Sequence, residues 1–388
     1  MIEAGKFFCP VCGNVDTEAF YKVGGRTEGL RLTHRKLGGG FRVEVIDPES
    51  GKVKPDAVEL ISSLDRHPNG IPERITVKFA GENRTVDATR HCRFCAQEKV
   101  NTKVFLNNGH CPLYVVAMMG DRTVGKTAWL DAVSYPLNSA AVNEGNYPFR
   151  LNFVNPSGRY GVSKATPEYG RGATKFLEVV NNTDNRIVAQ VLLLDMAGEL
   201  FLTTPQILNR LVQGYLDYPG PDAFIFMESA SGSNVEAPNL DAAFQTQTIY
   251  SNARTVGAFN GKPVAWVLTH LDQMIEDESY PKQVESRGMM EIPVMSKSTF
   301  TTRTSYSRHN LLDRMAIEHH VARACQPAVL LDAPGSSNHG FLVQSCTTFK
   351  DHEKGLTEDR NVSMNVMDPL LWVLNQLHIF PLTEGGFC

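Results

Sequence analysis

Residues Ala117 to Leu130 read AMMGDRTVGKTAWL. An apolar run stops at Gly120, a short polar loop follows, and Gly125, Lys126 and Thr127 lead into a helical pattern, AWLDAV. The loop fits G-x-x-x-x-G-K-[ST] from Gly120 through Thr127, a spacing with a physical reason at each fixed position. Gly120 ends the strand where a side chain would obstruct the turn, and Gly125 lets the backbone approach phosphate oxygens. Successive N–H groups of Asp121, Arg122, Thr123, Val124, Gly125, Lys126, Thr127 and Ala128 would line a cradle, and the helix start adds its positive end. Lys126 would reach the outer phosphates of a nucleotide, and Thr127 would give a hydroxyl ligand to Mg²⁺. The plain alternative is a strand–loop–helix that matches by chance. Its place after a buried strand and before a helix favours the phosphate reading.

Outward from the loop, PLYVVAMM (residues 112–119) is a short, nearly continuous apolar run, as expected for a strand buried on both faces. RIVAQVLLLD, PDAFIFMES and PVAWVLTH share that character, and KFLEVVNN and GFLVQSC are shorter candidates. Helical candidates lie between and after them, LDAAFQTQTIYSNARTVGAF and LLDRMAIEHHVARAC, with MDPLLWVLNQL closing the chain behind Pro369. This alternation predicts an α/β fold, three layers around a mostly parallel sheet, over residues 111–388. Residues 1–110 read differently. Gly-rich turns separate strand-like runs such as FRVEVID and RITVKFAG, which predicts a small β-rich module.

Two further strand ends carry candidate groups. VLLLDMAGEL ends a buried strand with Asp195, three residues before Gly198. A carboxylate there faces the crevice in which α/β sheets bind ligands, where it could hold Mg²⁺, and the Gly198 N–H could meet a terminal phosphate. VAWVLTHLDQM ends a strand with Thr269, His270 and, two residues on, Asp272. A carboxylate at 272 can accept from the N1–H and N2–H₂ of guanine, a donor pair that adenine lacks. The plain alternative is that Asp272 begins a helix as its cap; the base reading is preferred.

GDRTVGKT, DMAG and THLD, in this order on successive strands, resemble the phosphate, Mg²⁺/γ-phosphate and base motifs of P-loop GTPases of the translation-factor and small-GTPase class. The resemblance covers about residues 112–380. With the Cys pairs of the N-terminal module and the late DPLLWVLN helix, the chain also looks like a bacterial group of double-GTPase proteins, which implies a place in conflict or defence systems. The resemblance implies that Ser345 and Cys346, in QSCTT, contact the guanine by position, and that a switch threonine closes over Mg²⁺. Thr166 and Thr174 both qualify, with Thr166 preferred, in a Gly-containing loop suited to an order–disorder switch. The chain departs from the family at several positions. Thr269 and His270 replace an Asn that ties the base loop to the phosphate loop and a Lys that covers the base. Glu199 stands where small GTPases place the Gln that positions the attacking water, and a carboxylate beside a γ-phosphate feels like-charge repulsion. Slow intrinsic hydrolysis follows, raised by a protein partner that supplies an arginine; Arg171 and Arg122 are candidates within the chain.

Four of the eight cysteines form two C-x-x-C knuckles, Cys9 with Cys12 and Cys92 with Cys95. Together they are expected to make a structural Cys₄ zinc set in a zinc-ribbon-like module. Because the gap between the pairs far exceeds the roughly 15–20 residues of a compact ribbon, either the β-rich segment is inserted in the ribbon or the pairs serve separate purposes. Residues 1–112 carry a net +3 and the rest −7. Four thiolates on zinc would nearly neutralise the first part, so charge gives little support to nucleic-acid binding. No apolar run approaches the roughly 18 residues that span a bilayer, and no secretory leader is evident, which predicts a cytoplasmic protein. The functions to be separated are a GTP/GDP-binding switch with slow Mg²⁺-dependent hydrolysis, an ATP-using P-loop enzyme, and a zinc-ribbon scaffold that binds nucleotide without turnover.

Overall fold

The computed structural model describes residues 1–9, 14–16, 20–23, 30–34, 41–46, 53–54, 58–60, 74–79, 82–91, 107, 109–121, 124–145, 147–154, 174–196, 220–229, 240–270, 339–343 and 365–381. The chain divides into two compact units. The first takes Met1–Tyr114 with Asn185–Gln190 and Tyr215–Pro219, and the second takes Val115–Asp184, Val191–Gly214 and Gly220–Cys388.

Up to residue 107, the described elements of the first unit are strands. β1 (Phe7–Phe8) and β2 (Val15–Asp16) pair antiparallel, Phe7 opposite Asp16. They are followed by β3 (Phe20–Val23), β4 (Leu30–His34), β5 (Phe41–Ile46), β6 (Val53–Lys54), β7 (Val58–Leu60), β8 (Arg74–Phe79) and β9 (Glu82–His91). These seven form one sheet in the order β6-β5-β4-β3-β9-β8-β7, and every neighbouring pair is antiparallel. The FRVEVID and RITVKFAG runs contain β5 and β8, in keeping with their period-two alternation. Asn107 lies against the first hairpin. Its Oδ1 accepts the Phe8 N–H at 2.8 Å, and its Nδ2 donates to the Lys6 carbonyl at 2.8 Å. One side-chain amide thus satisfies backbone groups that a neighbouring strand would otherwise pair.

The second sheet starts from β10 (Leu113–Met119), which residues 120–125 connect to α1 (Lys126–Val133). Then come α2 (Pro136–Asn143), β11 (Phe149–Phe153), β12 (Thr174–Asn181), β13 (Ile187–Asp195), β14 (Ala223–Ser229), α3 (Leu240–Thr255), β15 (Val264–Thr269), β16 (His339–Val343) and α4 (Asp368–Gln376). The strand order is β11-β12-β13-β10-β14-β15-β16. β10, β14, β15 and β16 run parallel to one another in turn, and β11 pairs with β12 antiparallel. The sheet is therefore mixed and mostly parallel, as the alternating pattern predicts. Its central strands are apolar runs because they are buried on both faces: every residue of β15 is buried, and so is β14 up to Glu228.

Strand alternation places α3 and α4 on opposite faces. Phe226 and Trp266 are directly paired and so share a face. Tyr250 of α3 meets both rings, at centroid distances of 6.4 and 5.5 Å. Gly340 pairs with Ala265, one residue off Trp266 and hence on the other face. A Cβ on Gly340 would collide with the indole of Trp372 in α4, so α4 packs flat against the sheet where a side chain is missing. α1 lies with α4: Trp129 Nε1 donates to the Val366 carbonyl at 2.9 Å. Helix, sheet, helix are three layers, and the aromatic cluster Phe226, Tyr250, Phe259 and Trp266 fills one of the two interfaces.

Candidate functional site

The C-terminal end of β10 is shaped by two glycines with different tasks. Gly120 has φ +139°, and a Cβ there would strike the Met227 carbonyl of β14, so both conformation and space demand glycine. Gly125 has φ +85° and almost open surroundings; conformation alone selects it. Gly125 is also the N-cap of α1, and it caps without a side chain. Glycine supplies no side-chain cap bond to the helix, and the first turn has no acidic residue. A helix start left this way presents N–H groups and a positive dipole end to an anion.

Lys126 curls back over the loop. It is 6 % exposed, and its Nζ donates to the Gly120 carbonyl at 2.7 Å and to the Asp121 carbonyl at 2.6 Å. Charge-assisted bonds of this kind hold the ammonium at the mouth of the cradle rather than in solvent. Thr127 Oγ1 donates to Asp195 Oδ2 at 2.7 Å, which joins the helix start to the end of β13, 68 residues apart in sequence. The two groups expected to hold Mg²⁺ are thus adjacent, and both are hard oxygen donors. Val124 is buried beside Gly120, and Ala128 occupies the first turn of α1.

The base-side residues are partly described. Thr269 is 2 % exposed, and its hydroxyl donates to the Glu228 carbonyl of the neighbouring strand at 3.0 Å. His270, with φ +60°, is the residue that stands beside the loop: its Nε2 lies 3.9 Å from where a Cβ on Gly125 would be. The other ring nitrogen, Nδ1, is 2.9 Å from Ser229 Oγ and 3.2 Å from Thr269 Oγ1. The shorter of the two contacts is to Ser229, whose hydroxyl can donate to Nδ1 or accept from it according to the ring's tautomer.

Sequence reading did not single out three participants at this end of the sheet. Glu228 is a carboxylate only 5 % exposed at the end of β14, Ser229 holds His270, and Gln245 of α3 bonds the Asp121 carboxylate. The signal for Glu228 was available, since an acid closing an apolar run is the pattern that marks Asp195. Arg122, Thr123, Thr166, Arg171, Gly198, Glu199, Asp272, Ser345 and Cys346 lie outside the described residues, and so do Cys12, Cys92 and Cys95. Thr174 begins β12. Cys9 is buried, and its N–H donates to the Asn14 carbonyl at 2.9 Å. Among the described residues no group of three or more His, Cys, Asp or Glu could hold a metal, and no helix is long and apolar enough to cross a membrane.

No family model matches the chain, and no curated protein matches it. Among solved structures, the chain is similar to the signal recognition particle receptor SRb-GTP/SRX complex from Chaetomium thermophilum. Identity is 19 % over 47 % of this chain and 84 % of that one, with a TM-score of 0.29. That score is too low to carry an argument. The likeness to a P-loop nucleotide-binding fold stands on the loop, the strand order and the contacts of Lys126 and Thr127.

Proposed function

We propose that the chain is a GTP-binding protein that hydrolyses its nucleotide slowly with Mg²⁺ and acts as a switch read by a protein partner. One observation carries the reading: a helix start capped by glycine, with no side-chain cap bond, has Lys126 folded over the preceding turn and Thr127 bonded to Asp195 at the end of β13. These contacts support a polyphosphate held by loop amides and Lys126. Mg²⁺ would sit at Thr127 and Asp195, where it would neutralise phosphate charge. Asp272 reads the guanine edge, with Thr269 and His270 leading to it and Ser345 and Cys346 at the base. Thr166 closes over the triphosphate, Gly198 meets its terminal phosphate, and Glu199 orients water at a cost in repulsion that keeps turnover slow. The four cysteines 9, 12, 92 and 95 hold one structural Zn²⁺ in the N-terminal module.

Titration with a fluorescent GTP analogue and Mg²⁺, with unlabelled GTP, GDP and ATP as competitors, tests this reading. GTP and GDP should displace the probe and ATP should not, and Lys126→Ala should abolish binding. Equal competition by ATP overturns the role given to Asp272, and phosphate release no faster than in Lys126→Ala overturns hydrolysis. Elemental analysis of the purified protein should find one zinc per chain.

A further inference from the structure

The phosphate loop contains a carboxylate of its own. Asp121 follows Gly120 directly, and it is 6 % exposed. A buried anion beside a polyphosphate cradle opposes the ligand unless something turns it elsewhere. Gln245 does this. Its amide nitrogen donates to Asp121 Oδ1 at 2.8 Å and Oδ2 at 3.3 Å, the only orientation that suits a carboxylate, which accepts and does not donate. The Asp121 backbone carbonyl accepts from Lys126 Nζ at 2.6 Å. Asp121 is therefore gripped twice: through its side chain by α3, and through its backbone by the lysine that meets phosphate. The grip is firm because α3 is firm. Thr246, Ile249 and Tyr250, on the turns after Gln245, are buried, and Tyr250 is packed against Phe226 and Trp266.

We propose that Gln245 is a positioning residue for the phosphate site, holding the Asp121 carboxylate against α3 so that the loop presents amides and Lys126, and not a second negative charge, to the nucleotide. The inference rests on the nucleotide-binding reading above and assigns Gln245 a part in it. It predicts a charge-specific effect. Without its donor, the carboxylate turns toward the cradle and repels phosphates in proportion to their number; an asparagine at 121 has no charge to misdirect.

The test is a set of competition titrations with GTP, GDP and GMP on the full chain, wild type against Gln245→Ala, Asp121→Asn and the double variant. Gln245→Ala should weaken GTP about ten- to a hundredfold, the scale of a lost charge-assisted bond. GMP should weaken far less, and Asp121→Asn supplies the background without that charge against which the double variant is compared. In the double variant the Gln245→Ala loss should vanish. A loss equal for GTP and GMP, a loss that persists in the Asp121→Asn background, or unchanged GTP binding overturns the inference. If Gln245→Ala does not fold, Gln245→Glu keeps the shape and reverses the charge preference. It should weaken GTP more than GMP, and equal weakening or none counts against the proposal. A wild-type protein that binds none of the three nucleotides instead overturns the nucleotide-binding reading itself.

Discussion

Strands β14 and β15 carry two kinds of buried residue, and the contrast separates stability from function. Along their length the neighbours are rings. Phe226 and Trp266 stand 4.9 Å apart, with Tyr250 and Phe259 closing over them. At their C-terminal ends the neighbours are polar and hardly less buried: Asp121, Lys126, Asp195, Glu228 and Thr269 are between 0 and 6 % exposed. Packing rings costs little and contributes much, about 0.5–1.5 kcal/mol per aromatic pair beyond burial. Burying charged groups costs stability even when they are paired. A fold that accepts the second cost at one end of one sheet, while filling the middle with apolar groups, concentrates its chemistry there.

Trp266→Ala gives the largest expected effect on the apolar side. Removing an indole that is 1 % exposed should destabilise the fold by about 3–5 kcal/mol in urea unfolding, while the remaining folded protein binds GTP within about threefold of wild type. A parallel collapse of affinity would show that the two regions are not separable. Lys126→Met is the converse. It should weaken GTP by about a hundredfold or more and change unfolding free energy by less than about 1 kcal/mol, because a buried ammonium is replaced by an apolar chain of similar size. A large loss of stability would mean that Lys126 serves the loop's structure first.

The apolar side of this contrast is the part most legible in sequence. β10, β13, β14 and β15 are mostly apolar runs because both faces are covered. α4 announces itself by Pro369 in its first turn, but it is buried from Asp368 to Asn375 and not amphipathic as its sequence suggests. β11 and α2 are not legible. β11 is a five-residue edge strand with a broken burial pattern, and α2 opens two residues after α1 closes, with Asn and Ser among its residues. Their stability comes from each other. Asn143 of α2 accepts from the Leu151 N–H and donates to its carbonyl, both at 2.8 Å, covering the sheet edge. The site divides the same way. Gly120 to Thr127 can be read because the loop motif needs consecutive residues, whereas Ser229 meets His270, Glu228 meets Thr269 and Gln245 meets Asp121 only when strands and helices distant in sequence are packed.

Gly340→Ala sharpens the comparison from the other face. The added methyl meets the Trp372 ring, and overpacking of this kind should cost about 1–3 kcal/mol without touching the loop. Thermal unfolding should shift down while GTP affinity stays put. A fall in affinity would show that α4 transmits strain to the site.

The smallest effect lies at the opposite end of β14. Lys262 sits 5.7 Å over the Phe224 ring, and burial lowers its pKa below the usual 10.5, partly opposed by the Asp222 carboxylate. Asp222 is itself held at the sheet, where its Oδ2 accepts from the Val115 N–H at 2.8 Å. With the folded pKa below the unfolded one, the unfolded chain binds more protons in the interval up to 10.5. Stability contributed by this residue therefore rises with pH across that interval. Lys262→Met has no such group, so its unfolding free energy measured from about pH 8 to pH 10 should fall behind that of wild type as pH rises. Lys262 is only partly buried, so solvent screening keeps the slope shallow. A difference that grows in the variant's favour with pH would mean that the Asp222 attraction outweighs desolvation. The lysine would then be an ion-pair member rather than an ammonium held over an aromatic ring.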